Sequence, residues 1–179
     1  MVAFQAARDT IAFMPSPDLL RLARHLLDLC RTQSLRLATA ESCTGGLVAG
    51  AITDIAGSSD AFDCGFVTYS NAAKEEMLGV PHEILERHGA VSAETARAMA
   101  SGAVERSFAD IVVSITGIAG PGGGSAEKPV GLVHFACLRK GFGMEHIERR
   151  FGPETREAIR EGSVAQALEL MIAAAQRRP

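Results

Sequence analysis

Residues 35–55 read LRLATAESCTGGLVAGAITDI, and this stretch predicts a strand, a tight turn and a helix in direct succession. Residues 35–40 form the predicted strand, and the small side chains of residues 44–55 form the helix. The turn between them carries Ser42 and Cys43. Strands that alternate with helices in this way are typical of a layered α/β sheet.

The rest of the chain continues this alternation. Ser16 and Pro17 provide an N-cap and a first helical residue, so a helix is predicted from there to about residue 32. Further strands are predicted at residues 64–70 and 111–116, with a hairpin at 130–138 and 144–151. Further helices are predicted directly after residue 70, at 81–88, at 92–106 and at 154–175. The hairpin adds an antiparallel strand, so the sheet should be mixed.

Length and composition predict one domain with ordinary globular chemistry. The chain has 179 residues, and we expect an N-terminal extension at residues 1–15 followed by a single domain at 16–179. A net charge of -3 argues against a broad nucleic-acid surface. Residues 1–15 lack the features of a signal peptide, and no stretch reaches transmembrane length, so we expect a cytoplasmic protein without a membrane partner.

The cysteines and histidines do not suggest a metal site or a disulfide framework. The four cysteines show no CxxC pair, and the five histidines show no HExxH motif. This usage suits a reducing compartment. We therefore expect no metal and no organic cofactor.

Ser42 is the first candidate for chemistry. A serine at a helix start lies among unpaired backbone amides and at the positive end of the helix dipole, which favours an alkoxide or an oxyanion. The alternative is a helix start that binds a phosphate or carboxylate, with Thr44 donating and Gly45 and Gly46 permitting close approach. Cys43 is either a rival nucleophile or a small packing residue.

Lys74 is the second candidate. The run TYSNAAK, residues 68–74, holds the one tyrosine of the chain, its one asparagine and one of its three lysines. A lysine acts as a base near neutral pH only if burial or a nearby cation lowers its pKa. The alternative is a solvated lysine beside Glu75 and Glu76. Tyr69 is either a proton relay or a strand aromatic.

Two further features suggest a ligand site. Residues 117–131, GIAGPGGGSAEKPVG, form a long loop whose amides, with Ser125 and Lys128, could line a polar ligand. The loop matches neither a Walker pattern nor GxGxxG, and its alternative is an ordinary long turn. Arg156 and Arg160 lie one helical turn apart and are either a phosphate clamp or a solvated face.

Four long stretches closely resemble the CinA C-terminal domain family, the nicotinamide-nucleotide amidohydrolases. They are TAESCTGGLVAGAITDIAGSS (39–59), GFVTYSNAAKEEMLGV (65–80), HGAVS (88–92) and SITGIAGPGGGSAEKPVG (114–131). The resemblance implies a three-layer α/β/α sandwich with a mixed, mostly parallel sheet. It also implies hydrolysis of the carboxamide of nicotinamide mononucleotide to nicotinate mononucleotide and ammonia, in pyridine nucleotide recycling. Many relatives carry an N-terminal pyrophosphatase domain that nothing here matches, so pyrophosphatase activity is not predicted.

The resemblance also implies roles for individual residues. Ser42 would be the nucleophile, Lys74 the general base and Tyr69 a helper in proton transfer. The residues expected to bind substrate are Thr44, Gly45, Gly46, Asn71, Thr116, Gly117, Gly120, Gly123, Ser125, Arg156 and Arg160. Residues 152–156 are one residue longer than the usual G-x-R spacing of the family, so either arginine is a candidate for the phosphate.

Two other functions remain open at this point. One is a catalytically weak ligand-binding domain of the same fold, linked to competence or to the DNA-damage response. The other is a sugar-phosphate or nucleotide-phosphate binder built on the two glycine-rich segments. Release of ammonia from nicotinamide mononucleotide separates the amidohydrolase from both. The expected partner is a small molecule, with a homo-oligomer left open.

Overall fold

A computed structural model describes residues 15–178, so the predicted extension lies outside the described residues except for Pro15. The domain consists of a five-stranded sheet and six α-helices, with one short 3₁₀ turn at Ser58–Asp60. The strands are β1 Leu37–Glu41, β2 Phe62–Val67, β3 Ile111–Gly117, β4 Leu132–Arg139 and β5 Gly143–Arg150. The helices are α1 Pro17–Gln33, α2 Leu47–Thr53, α3 Asn71–Leu78, α4 His82–His88, α5 Ala93–Glu105 and α6 Arg156–Gln176.

The sheet has the strand order β2-β1-β3-β4-β5. Strand β1 pairs in parallel with β2 and β3, whereas β4 pairs antiparallel with β3 and β5. Four strands therefore run in one direction and only β4 runs in the other. This confirms the mixed, mostly parallel sheet.

Helices cover both faces of the sheet, which confirms the three-layer sandwich. On one face, apolar side chains of α1, α2 and α6 pack against residues such as Val113 and Phe135. On the other face, α3, α4 and α5 pack against residues such as Val112 and Ala136. The two clusters alternate along β3 because successive strand side chains point to opposite faces.

The ends of the predicted elements agree with the structure to within two residues, except at β2 and near the glycine turn. Strand β2 ends at Val67 and not at residue 70, so Tyr69 is not a strand residue. The helix predicted at residues 44–55 begins only at Leu47, and residues 42–46 form a turn in which Gly45 and Gly46 have φ of 61° and 95°. These left-handed angles suit glycine and do not continue a helix. Ser42 therefore lies five residues before α2, and its predicted place at a helix N-terminus is wrong.

The contact between α3 and α5 fixes the helix that carries Lys74. Gly102 of α5 lies so close to the C-terminal end of α3 that a Cβ there would overlap the carbonyl group of Leu78. Gly50 of α2 is also helical, but a Cβ there would meet nothing within 4 Å. The two glycines therefore allow a matched comparison.

Gly102→Ala should lower the free energy of unfolding by about 1–3 kcal/mol, because the backbone of α3 must move to admit the methyl group. Gly50→Ala should instead raise it by about 0.5–1 kcal/mol, because alanine loses less backbone entropy in a helix. Urea denaturation of both variants checks the pair. Equal effects of the two substitutions would contradict the close approach at Gly102.

Candidate active site

Ser42 lies at the carboxyl end of the central strands. It directly follows β1, and its amide donates to the carbonyl of Ile115 on β3 at 2.9 Å. On the other side of β1, the Thr68 amide donates to the Glu41 carbonyl at 2.8 Å. Ligands of open α/β sheets usually bind beyond this edge of the sheet. The turn is thus fixed from both neighbouring strands.

Lys74 reaches Ser42 from α3. Ser70 caps this helix by accepting a hydrogen bond from the Ala73 amide at 3.0 Å, which places Lys74 one turn into the helix. The Lys74 side chain is 1% exposed. Its Nζ lies 3.0 Å from Ser42 Oγ and 2.8 Å from the Thr68 carbonyl oxygen.

Burial lowers the pKa of the Lys74 amine below its ordinary value, because the charged form loses its hydration. Within residues 15–178 no carboxylate forms an ion pair with it. Glu75, its sequence neighbour, bonds His82 instead at 2.8 Å. Lys74 is therefore buried, and the alternative of a solvated lysine is wrong. A neutral Nζ can donate to the Thr68 carbonyl and accept the Ser42 hydroxyl proton.

Glu41 occupies the amides at the start of α2. Its carboxylate accepts from the amides of Gly46 and Val48 at 3.0 Å each and from Ala49 at 2.8 Å. Thr39 Oγ1 donates to the same carboxylate at 3.1 Å. The helix-start amides are thus engaged within the protein, so the expectation that they face a ligand is wrong.

A cavity of about 270 Å³ opens beside Ser42 and Lys74. Its walls come from the turn after β1, from Tyr69, from the segment before α5, from the glycine loop and from the start of α6. The lining residues predicted from the sequence are Ser42, Lys74, Tyr69, Thr116, Gly117, Gly120, Gly123 and Arg156. Thr116 Oγ1 donates to the Ala90 carbonyl at 2.6 Å, which ties β3 to the segment before α5.

Arg156 joins three parts of the cavity wall. It is the first residue of α6, whose N-cap Thr155 accepts from the Ala158 amide. Its guanidinium donates to the Gly120 carbonyl at 2.7 Å and to the Tyr69 hydroxyl at 3.1 Å. Because that hydroxyl oxygen accepts from Arg156, its own proton is free to point elsewhere. Tyr69 is 62% exposed and thus stands at the cavity mouth.

Six residues predicted to bind substrate do not line the cavity: Thr44, Gly45, Gly46, Asn71, Ser125 and Arg160. Arg160 instead donates to the Thr44 carbonyl at 2.9 Å and so supports the turn from behind. Ser125 accepts from the Lys128 amide within the glycine loop. Asn71 is exposed at the first turn of α3. Of the two candidate arginines, Arg156 lines the cavity and Arg160 does not.

Sequence reasoning missed Glu41 and five cavity-lining residues, Ala90, Val91, Ile118, Ala119 and Gly122. The position of Glu41 directly before Ser42, with glycines following, was the available signal for a carboxylate that caps a helix start. The apolar residues gave no comparable signal, because nothing in the local sequence separates a cavity wall from ordinary core.

Cys43 also lines the cavity, but its thiol is not reactive. It is 6% exposed, and burial raises the pKa of the thiol to about 12. The thiolate is the nucleophilic form of cysteine, so this group is inert near neutral pH. Of the two alternatives for Cys43, the structure favours the packing residue.

Residues 15–178 contain neither a metal-binding cluster nor a membrane-spanning helix. No group of three or more His, Cys, Asp or Glu side chains there is arranged to hold a metal ion. No helix in the same span is both long and apolar enough to cross a bilayer.

Comparison with known proteins identifies the family. The sequence profile of the CinA C-terminal domain matches residues 19–175. The chain belongs to the CinA C-terminal domain family. The crystal structure of the competence/damage inducible protein CihA from Agrobacterium tumefaciens superposes with a TM-score of 0.90 at 52% identity. That match covers 92% of this chain and 100% of the other.

Two relatives place this CinA domain among longer and shorter proteins. The nicotinamide-nucleotide amidohydrolase PncC of Escherichia coli (strain K12) is 48% identical over 159 residues, which cover 88% of this chain and 95% of PncC. A CinA-like protein of Akkermansia muciniphila is 50% identical over 147 residues, which cover 82% of this chain. The match spans only 35% of that relative, so the chain corresponds to about a third of its length.

The buried amine predicts a pH-dependent stability. Between the lowered pKa of folded Lys74 and the ordinary value of 10.5, the native amine is neutral whereas the unfolded one is protonated. Unfolding then takes up a proton, so native stability rises with pH by at most about 1.4 kcal/mol per pH unit.

Lys74→Met removes this titration but keeps an unbranched side chain. The free energy of unfolding of the wild type minus that of Lys74→Met should therefore rise as pH increases through this window. Urea denaturation of both proteins at several pH values measures the difference. A difference that stays constant with pH would mean that Lys74 is charged in the native protein.

Proposed function

We propose that this chain hydrolyses the carboxamide of nicotinamide mononucleotide to nicotinate mononucleotide and ammonia by a Ser–Lys mechanism. The observation that carries the proposal is the 3.0 Å contact between Lys74 Nζ and Ser42 Oγ at the base of a cavity. The name of the Escherichia coli relative, which this chain matches over 95% of its length, supports the choice of substrate.

Lys74 acts first as the general base. The neutral amine takes the proton of Ser42, and Oγ attacks the carboxamide carbon of the substrate. The bond between Nζ and the Thr68 carbonyl keeps the amine aimed during this transfer. Since the reaction needs the neutral amine, kcat/KM should rise with pH through the lowered pKa of Lys74.

The oxyanion needs donors other than the start of α2, because Glu41 already accepts from those amides. The next amides after Ser42 belong to Cys43 and Thr44. Within residues 15–178 neither donates to a backbone carbonyl, and both approach the Cys43 sulfur, which is only a weak acceptor. Backbone amides directly after a nucleophile are a frequent source of oxyanion stabilisation. We assign these two amides to that role.

Lys74 then acts as the general acid. Collapse of the tetrahedral intermediate breaks the C–N bond, and protonated Lys74 gives its proton to the leaving nitrogen, which departs as ammonia. Tyr69 helps in this transfer through its hydroxyl at the cavity mouth. A water molecule next attacks the nicotinoyl ester, with Lys74 again as base, and releases nicotinate mononucleotide and free Ser42.

The 5′-phosphate of the substrate is assigned to Arg156 and the glycine loop. Arg156 is the arginine that lines the cavity, next to Gly120 and Gly123. A guanidinium binds phosphate through two parallel hydrogen bonds.

Ser42→Ala should lower kcat by at least about 10³-fold, because it removes the covalent step. Lys74→Arg should be comparably inactive, because a guanidinium does not give up a proton near neutral pH. A coupled ammonia assay with nicotinamide mononucleotide measures both. Cys43→Ser is the control and should stay within a few fold of the wild type, since the thiol is inert.

Two results of this assay would contradict the proposal. Loss of activity in Cys43→Ser with retention in Ser42→Ala would make the thiol the nucleophile. Absence of ammonia release by the wild type across a panel of pyridine nucleotides would favour the ligand-binding alternative.

Arg156→Gln should weaken use of nicotinamide mononucleotide by about 1–3 kcal/mol in kcat/KM, mainly through KM, because charge-assisted bonds to the phosphate are lost. Turnover of nicotinamide riboside, which lacks the phosphate, should hardly change. Arg160→Gln is the comparison, and it should affect both substrates equally because Arg160 supports the turn. Equal losses on both substrates in Arg156→Gln would place the phosphate elsewhere.

A further inference from the structure

Glu41 is a buried carboxylate whose two oxygens face three backbone amides and one hydroxyl. It is 1% exposed, and its two oxygens accept four bonds, three from the amides of Gly46, Val48 and Ala49 and one from Thr39. A carboxylate accepts at both oxygens, whereas a carboxamide or a carboxylic acid must present a donor at one position. Each oxygen of Glu41 faces at least one backbone amide, which can only donate, so the surroundings favour an acceptor at both positions.

No Lys, Arg or His side chain within residues 15–178 forms an ion pair with Glu41. A buried charge without such a partner is stabilised only through its hydrogen bonds. The amides of Gly46, Val48 and Ala49 must then stay in place for the carboxylate to stay buried. The position of Glu41 and the start of α2 thus fix each other.

Ser42 lies in the chain between Glu41 and the helix-start amides that Glu41 binds. The backbone of Glu41 belongs to β1, while its side chain bonds the chain five to eight residues later. Residues 42–46 therefore form a loop whose two ends are joined by one side chain. Inside it, the Gly45 amide donates to the Ser42 carbonyl at 3.1 Å, and the Ser42 amide is bound to β3.

We propose that Glu41 is a positioning residue for Ser42, whose carboxylate holds the 42–46 turn closed so that Ser42 Oγ stays within hydrogen-bonding distance of Lys74 Nζ. The inference rests on the proposed Ser–Lys chemistry but is independent of which amide is hydrolysed. Glu41 touches neither the cavity nor the reacting atoms. It acts through the backbone of the turn.

Glu41→Gln is the decisive variant, because the carboxamide keeps the size of the side chain and turns an NH₂ group toward backbone donors. The readout is labelling of Ser42 by a fluorophosphonate, in which the Ser42 proton goes to Lys74, an O–P bond forms and fluoride leaves. The labelling rate should fall at least 30-fold, with its pH midpoint unchanged because Lys74 is untouched. With an active amide substrate, kcat should fall by a similar factor and KM by less than threefold.

Two controls separate positioning from general stability. Ile52→Val weakens the packing of α2, where Ile52 is fully buried, without touching Glu41. It should lower the Tm but leave labelling within twofold of the wild type at a temperature where all variants are folded. Thr39→Val removes one of the four donors and should stay within threefold.

The inference is overturned if Glu41→Gln is labelled at a rate within threefold of the wild-type rate. It is also overturned if Ile52→Val lowers the labelling rate as much as Glu41→Gln does. If Glu41→Gln does not fold, amide hydrogen exchange of the wild type decides. The amides of Gly46 and Val48 should exchange at least tenfold more slowly than that of Glu83 in α4, which has no side-chain cap, and equal rates overturn the inference. Failure of nicotinamide mononucleotide as substrate would leave all these labelling and exchange results unchanged.

Discussion

The side chain of Lys74 is an amine that the fold buries without an acidic partner among residues 15–178. Burial disfavours its charged form, and both of its contacts, Ser42 Oγ and the Thr68 carbonyl, are neutral. The contact connects α3 on one face with the end of β1 in the sheet. Its 3.0 Å length therefore depends on the pairing of β1 with β2 and on the seating of α3 against α5 at Gly102. Sheet and helices both serve to hold one amine next to one hydroxyl.

The sequence predicts most elements because their signals are local. Ser92, for example, caps α5 through the Thr95 amide as its position before a helical run suggests. The predicted start of α2 is wrong because the group that caps this helix does not belong to the residues at its start. Glu41 reaches the helix amides from the preceding strand, and Gly45 and Gly46 then take left-handed angles instead of helical ones. Ordinary capping rules consider the residue at the helix start itself, so the available signal was the pattern of Glu41 before Ser42 with the two glycines following.

The candidate site also has some features that the local sequence predicts and others that depend on tertiary contacts. Ser42 and Lys74 stand out in the sequence by residue type and rarity, but their proximity across 32 positions is a property of the sheet topology. The solvated alternative for Lys74 failed because the acids beside it lie on other faces of α3. Asn71 and Ser125 lie near cavity-lining residues in the sequence, but neither lines the cavity. Resemblance to a family indicated both as binding residues, and only the coordinates separate them from Arg156.

The place of Arg156 at the first position of α6 has an electrostatic consequence. Cations are disfavoured at a helix N-terminus, where the dipole of the 21-residue α6 is already positive. The two positive contributions add at the cavity mouth, on a chain whose net charge is -3. A small anion that enters the cavity therefore meets a positive contribution from Arg156, which Glu157 in the same helical turn partly offsets. Such steering acts on the rate of encounter and weakens as added salt shortens the Debye length to about 8 Å.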